Sequence, residues 1–307
     1  MIGKLLVTIF ATLLVAMTAG VAQPQTAAGA SFVEVPFDFV KNEIALQVKI
    51  NGRGPFTMLL DTDTNPSGID SALARELGLK LGSTGQRASG GGSEINLVYA
   101  TRLPVVEIGS LTARDVTAAT ISLVKLGERL GTPVQGVLGY SFLKDRIVQI
   151  DYPARKLRFY ARSPFPPQVT TTATRTVISF RYEDELLIDD VYLNGQKVRG
   201  TLDTGSSSAF NLTPEAVTAL KLEEDVRNGK VTSSVGYNGE HQGRSGTLKA
   251  VRLGEISIES AETNFWLPGT GHDKKQYQVN IGNVFFKDYV VTFDFRSKIV
   301  VLEKSPG

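Results

Sequence analysis

The chain carries its own copy. Phe56-Thr57-Met58-Leu59-Leu60-Asp61-Thr62 recurs as Val198-Arg199-Gly200-Thr201-Leu202-Asp203-Thr204-Gly205, an offset of 142 when Asp61 is laid on Asp203. Val137-Leu138-Gly139-Tyr140-Ser141-Phe142 recurs as Asn280-Ile281-Gly282-Asn283-Val284-Phe285, an offset of 143 when Gly139 is laid on Gly282. Two separate landmarks that keep step describe a duplicated unit rather than two chance matches, and a duplication constrains the architecture more than any other single feature.

Other features fall into the same register. Before each Asp-Thr lies a predicted hairpin: Ile44 to Ile50 and Pro55 to Leu60 around Asn51-Gly52, then Leu186 to Leu193 and Lys197 to Leu202 around Asn194-Gly195. Asn-Gly is a strong hairpin signal because both residues tolerate positive φ. After each Asp-Thr a short helix is predicted. Asp70 caps Ser71 to Leu77 with Gly78 as the stop, and Thr213 caps a run opened by Pro214 and Glu215. Each copy closes with another paired run, Ile147 to Tyr152 with Lys156 to Phe159 and Val290 to Phe295 with Ile299 to Leu302, placing Asp151 and Asp294 at equivalent strand ends. The alternation of β-branched and aromatic residues makes both copies mostly strand. The expected fold class is all-β, with two barrel-like lobes over 31–161 and 175–307, short helices, and a Pro- and Thr-rich linker over 162–174 opened by Ser163-Pro164-Phe165-Pro166-Pro167.

Composition closes off several chemistries. Cysteine is absent, so disulfides, thiol catalysis and cysteine-ligated metals go together. His241 and His272 are the only histidines, too few for a histidine-rich zinc site, and both are expected at the surface rather than as ligands. The 33 Lys and Arg against 31 Asp and Glu leave no excess that points to nucleic acid or an anionic surface. Residues 1–22 read as a secretory signal, with Lys4, an apolar run from Leu5 to Ala16, and Gly20-Val21-Ala22 for cleavage. The apolar run is shorter than the roughly 20 residues of a spanning helix. The expectation is an exported protein, periplasmic or secreted, touching a membrane only through the signal segment if uncleaved.

Asp203-Thr204-Gly205-Ser206-Ser207, preceded by apolar Leu202, resembles the active-site loop of the pepsin-like and retropepsin-like aspartic peptidases. Gly139 and Gly282, each after an apolar residue, resemble that family's hydrophobic-glycine strand, which crosses behind the loop. A lone Asp-Thr-Gly is weak, but the duplicated loop with its glycine strand covers essentially the whole chain after the signal. The resemblance implies a two-lobed acid-protease fold, an extended peptide or protein substrate, no metal and no cofactor. Asp61 and Asp203 would be the catalytic carboxylates. Thr62 and Thr204 would tie the loops together, Thr64 and Ser206 would bond the outer carboxylate oxygens, and Gly205 would let backbone N–H groups approach.

The residue chemistry leads the same way. Hydrolysis of a peptide bond without a metal or nucleophilic side chain needs a base for water and an acid for the departing nitrogen. Two carboxylates too close to ionise together share one proton and supply both. A two-fold repeat delivers such a pair to its axis. One position departs from the family: Asp63 stands where it has glycine, a side chain that could crowd the loop and add a third carboxylate. Two functions stay open, an aspartic endopeptidase favouring acid and a catalytically impaired peptide-binding or inhibitory protein on the same scaffold.

Glycine-rich tips at Ala88-Ser89-Gly90-Gly91-Gly92-Ser93 and Gly236-Tyr237-Asn238-Gly239 occupy comparable places between loop and glycine strand. They are flap candidates, with Gly90, Gly91 and Tyr237 as substrate-facing residues, and a flap on each copy would resemble a fused retropepsin dimer. They are equally what exposed turns look like. Gly139-Tyr140-Ser141 lacks the closing glycine of a nucleophile elbow, so Ser141 is expected to be structural. Trp266 is expected in core or groove wall, no dinucleotide fingerprint being present.

Overall fold

A computed structural model describes residues 31–88, 91–92, 94 and 96–304. The signal segment 1–22 and Gly90 lie outside the described residues. Strands dominate and organise into two barrel-like sheets, a third that joins them, and a two-stranded ribbon of Gln86–Arg87 with Leu97–Val98. The molecule is an all-β protein with two lobes.

In the first half, seven strands follow the order Asp38–Val40, Glu43–Ile50, Arg53–Leu60, Gly136–Leu138, Ser67–Asp70, Leu111–Ile121, Ala100–Ile108. Glu43–Ile50 also pairs with Ala100–Ile108, which closes the sheet on itself. The second half repeats this with Arg181–Tyr182, Leu186–Leu193, Gln196–Leu202, Val279–Ile281, Phe210–Leu212, Ile256–Trp266, Gly239–Leu253 and an added edge strand Val231–Gly236, closed by Leu186–Leu193 on Gly239–Leu253. The third sheet, of six strands, draws on both halves: Ile147–Asp151 pairs antiparallel with Tyr289–Asp294 at its centre. Residues 161–174 hold no helix and one isolated bridge, Thr172 to Arg175.

Local sequence explains the corners. Asn51 and Gly52 take φ of 52° and 73°, and Asn194 and Gly195 take 50° and 83°, the left-handed pair that suits the twist of a two-residue hairpin. The Asp70 carboxylate caps Ser71–Glu76 by accepting from Ala72 and Leu73 N–H, and the Thr213 hydroxyl caps Pro214–Ala219 by accepting from Ala216 N–H. Asp151 and Asp294 accept turn N–H groups, Asp151 from Ala154 and Asp294 from Arg296 and Ser297. Apolar positions of the barrels, among them Ile44, Leu46, Met58 and Ile69 with Ile188, Leu193, Phe265 and Ile281, are fully buried in one continuous core. Helices Val124–Leu130, Tyr140–Leu143, Glu223–Asn228 and Asn283–Phe286 come in addition to the two expected ones. None has a side-chain cap, although Glu223–Asn228 opens on the acidic turn Glu223-Glu224-Asp225, a start signal in the sequence.

Candidate active site

Each Asp-Thr pair follows the last residue of a barrel strand, where the neighbouring glycine strand holds it from behind. Arg53–Leu60 runs parallel to Gly136–Leu138, and Asp61 N–H donates to the Leu138 carbonyl at 3.1 Å. Gln196–Leu202 runs parallel to Val279–Ile281, and Asp203 N–H donates to the Ile281 carbonyl at 2.8 Å. The glycines that follow are demanded by space. A Cβ on Gly139 would lie 2.3 Å from the Thr64 carbonyl oxygen, and one on Gly282 would lie 2.5 Å from that of Ser206.

The two threonines interlock. Thr62 N–H donates to the Thr204 hydroxyl at 3.1 Å and Thr204 N–H donates to the Thr62 hydroxyl at 3.1 Å, while the hydroxyls donate across to the carbonyls of Leu202 (2.6 Å) and Leu60 (2.9 Å). Both side chains are buried. Four reciprocal bonds thus fix one loop against the other. Thr204→Val keeps the shape but strands the Thr62 N–H and the Leu60 carbonyl, and a cost of about 2–4 kcal/mol is expected in denaturant unfolding, since each buried orphan costs roughly 1–3 kcal/mol.

The carboxylates meet around Gly205. Asp61 Oδ1 accepts from Asp63 N–H and Thr64 N–H, both at 2.9 Å, and Oδ2 accepts from the hydroxyls of Thr64 and, at 2.9 Å, Tyr237. Asp203 Oδ1 accepts from Gly205 N–H at 2.7 Å and Oδ2 from Asn280 Nδ2 at 2.6 Å. Gly205 therefore bonds one carboxylate through its N–H, while a Cβ on it would stand 2.4 Å from the Asp61 Cγ. Burial, followed by the charges of Asp61 and Asp63, holds the Asp203 carboxyl well above the usual carboxylate range. That is the condition for a shared proton.

Ser206 takes a different place from the one its position implied. Its hydroxyl accepts from Asn211 Nδ2 at 3.0 Å, and Asn280 bonds the outer oxygen of Asp203 instead. Asn211 also donates to Asn280 Oδ1, and Asn264 donates to Asn211 Oδ1, each at 3.2 Å, so a ladder of amides runs inward from Asp203. The first half carries Gly68 and Val137 where this ladder has Asn211 and Asn280, and there the Thr64 hydroxyl bonds Asp61 Oδ2 beside that of Tyr237. Asn280 sits two residues before Gly282, within the repeated landmark, and its polar side chain in an otherwise apolar strand was the available signal.

Asp63 turns away from the dyad rather than crowding its loop. Its backbone N–H serves Asp61 as glycine's would, and its side chain accepts from the hydroxyls of Thr201 (3.1 Å) and Tyr277 (3.3 Å), both in the second half. Burial pushes the Asp63 carboxyl up to about 6, with Lys275 opposing the rise and Asp61 adding to it. The Lys275 ammonium, 5.4 Å from the Tyr277 ring centroid, donates to Glu185 at 2.7 Å. Glu43, the counterpart of Glu185 at the same offset as the dyad, is a site residue that sequence reasoning missed. It is buried, and burial together with Asp203 and Asp61 holds its carboxyl well above the usual range. No local motif marks it.

The two glycine-rich tips meet over the dyad. Asn238 N–H donates to the Gly91 carbonyl at 2.8 Å, Glu94 N–H to the Asn238 carbonyl at 2.9 Å, and Asn96 Nδ2 to the Tyr237 carbonyl at 2.9 Å. Tyr237, so held, drops its hydroxyl between Asp61 and Thr64. His272 is not at the surface: it is 7% exposed and its ring stacks on Trp266 with centroids 3.7 Å apart, while His241, half-buried, lies 5.1 Å from it. Ser141 is structural, accepting from Ser67 N–H and donating to the Thr117 carbonyl. Among the described residues no group of three or more His, Cys, Asp or Glu could hold a metal ion, and no helix is long and apolar enough to cross a membrane.

No curated protein matches the chain. Among solved structures it is similar to basic 7S globulin from soybean, at 10% identity and a TM-score of 0.49 over 90% of this chain and 96% of that one. It is also similar to a retropepsin-like aspartic protease from Rickettsia conorii, at 20% identity and a TM-score of 0.33 over 44% of this chain and 97% of that one. The family model described as aspartyl protease matches twice, over residues 46–142 and again over 190–282. Those two matches take in both loops, both glycine strands and more than half of the sequence, and the chain belongs to the aspartyl protease family.

Proposed function

We propose that the protein is an aspartic endopeptidase acting outside the cytoplasm, with Asp61 and Asp203 as its catalytic carboxylates. The observation that carries this reading is the pair of carboxylates bracketing Gly205 from equivalent loops, locked by Thr62 and Thr204. A water between them loses a proton to the ionised carboxylate as its oxygen attacks the peptide carbonyl carbon, and the protonated carboxyl gives its proton to the carbonyl oxygen. The C–N bond then breaks as the nitrogen takes up a proton from the dyad. Asp203, the carboxyl raised by burial and its neighbours, suits the acid. All four bonds at Asp61 run toward its oxygens, which suits the base. The substrate is an extended peptide lying under the two tips and bonded along its main chain.

The test is cleavage of an unfolded protein across a range of pH by the wild type and by Asp203→Asn. Cleavage in the wild type alone supports the reading, and equal cleavage in both overturns it. A second reading, peptide binding without turnover, is favoured by Tyr237, whose hydroxyl donates to Asp61 Oδ2 and covers that carboxylate. Peptide binding with no cleavage by the wild type at any pH would establish it.

Asp63 has a pH signature of its own. A carboxyl raised to about 6 from its ordinary value prefers the protonated form in the folded protein, so its contribution is fully present below about pH 4 and is lost as pH rises through 6. Asp63→Asn abolishes that titration. Between about pH 4 and pH 7 the wild type is expected to lose up to about 3 kcal/mol more stability than the variant, because each tenfold change in a protonation equilibrium is worth about 1.4 kcal/mol. Parallel stability curves from thermal unfolding would contradict it.

A further inference from the structure

Each neutral imidazole must donate one hydrogen bond and accept another, and buried polar groups almost always find partners. Both ring nitrogens of His272 and both of His241 are buried without a well-formed hydrogen bond among the described residues, the Gly239 backbone making only a weak contact with His241. The two rings pack against each other and against Gly91. A Cβ on that glycine would stand 2.7 Å from His241 Cε1 and 2.9 Å from His272 Nε2. His241 belongs to the hairpin of strands Val231–Gly236 and Gly239–Leu253, whose tip carries Tyr237. His272 lies in the segment after Ile256–Trp266 and is braced by Trp266. The hairpin that covers Asp61 is thus seated on an unsatisfied pair of imidazoles.

We propose that His241 and His272 are a proton-operated latch: while both are neutral the hairpin stays down with Tyr237 on Asp61, and their protonation favours the lifted hairpin and uncovers the dyad. Burial opposes charge on both rings in the closed state, pushing His272 down to about 3 with His241 and Lys275 assisting, and lowering His241 as well. A lifted hairpin returns the rings to water, where imidazole titrates near about 6.5. The closed state therefore holds its advantage above about pH 6.5 and loses it as pH falls toward 3.

The surrounding charges leave that sign intact. Arg129 on the helix Val124–Leu130 and Lys275 disfavour charge on the rings, whereas the Gly239 backbone and Glu240 favour it at His241 without reversing the effect of burial. Glu94, pressed against Gly239, is paired with Lys125. The Asp273 carboxylate is occupied by Gly269 N–H.

The latch deepens the peptidase reading, since what it uncovers is the proposed dyad, but its test needs no substrate. His272 alone shifts the opening equilibrium about 30-fold between about pH 8 and pH 5. Hydrogen exchange of the hairpin amides, corrected for intrinsic rate, is expected to accelerate at least about 30-fold over that interval, and the fluorescence of Trp266, the single tryptophan, to follow with a midpoint between about 3 and 6.5. In His241→Gln/His272→Phe, which keeps a ring against Trp266, both changes should vanish. Equal protection of the wild-type hairpin at the two pH values overturns the latch even if the variant does not fold, as does an acid response that persists in the variant. A protein that opens in acid and cleaves nothing would refute the peptidase and leave the latch standing.

Discussion

Asp203→Asn is expected to lower peptide cleavage by about 10³-fold or more at every pH while leaving the fold and its unfolding midpoint nearly unchanged. An amide of the same shape can still accept from Gly205 N–H through its oxygen. What it lacks is the proton. Burial and the charges of Asp61 and Asp63 hold the Asp203 carboxyl well above the usual carboxylate range, so on the proposed mechanism the variant loses the acid of the attacking step and the shared proton. The amide also faces Asn280 Nδ2, which donates to Asp203 Oδ2 at 2.6 Å, so one of the two amide groups must turn. Cleavage should be followed with stability on the same preparation, because a loss of both would report the amide ladder rather than the proton. Cleavage within about tenfold of wild type, in a folded variant, would remove Asp203 from the chemistry.

The second large effect is steric. Gly205→Ala is expected to reduce activity by at least about 10²-fold, because small displacements of reacting groups cost that much, and to destabilise the protein by about 1–3 kcal/mol as an overpacked site. The added carbon would lie 2.4 Å from both Cγ and Oδ2 of Asp61, less than any real Cβ contact. Relief requires the carboxylate to move off its bonds with the backbone N–H groups of residues 63 and 64, or the loops to part against the threonine interlock. Both routes misplace the dyad. Unfolding by denaturant and turnover of one peptide measure the two consequences separately, and a variant with wild-type turnover would show that Gly205 does not lie between working carboxylates.

The contrast between the two loops shows where sequence reading reaches. Asp61 and Asp203, with Thr62 and Thr204, are legible because each stands in a copied string whose hairpin, helix cap and glycine strand are all local. The same logic carries Thr64 onto Asp61 but misplaces Ser206. The competing donor, Asn280, arrives from 77 positions away. Asp63 looks like an intrusion because its neighbours in sequence offer no partner. Thr201 and Tyr277, 138 and 214 positions on, supply two. Gly91 and Tyr237 stand out only as residues of glycine-rich tips, and nothing in either tip announces that Tyr237 reaches Asp61 or that Asn238 pairs with Gly91. Polar surroundings along the chain assign the histidines to the surface, whereas burial depends on what packs from elsewhere, here Trp266 and Gly91.

By itself the sequence determined that this protein is a doubled β unit presenting one Asp-Thr loop per copy, because repeats, turns and caps are written in residues a few positions apart. The tertiary structure alone decided how those loops are wired: which amide serves Asp203, where Asp63 points, what covers Asp61 and which imidazoles go dry. Those contacts cross between or within lobes over long stretches of chain, and their energies depend on distance and burial in the folded molecule, quantities that no local pattern encodes.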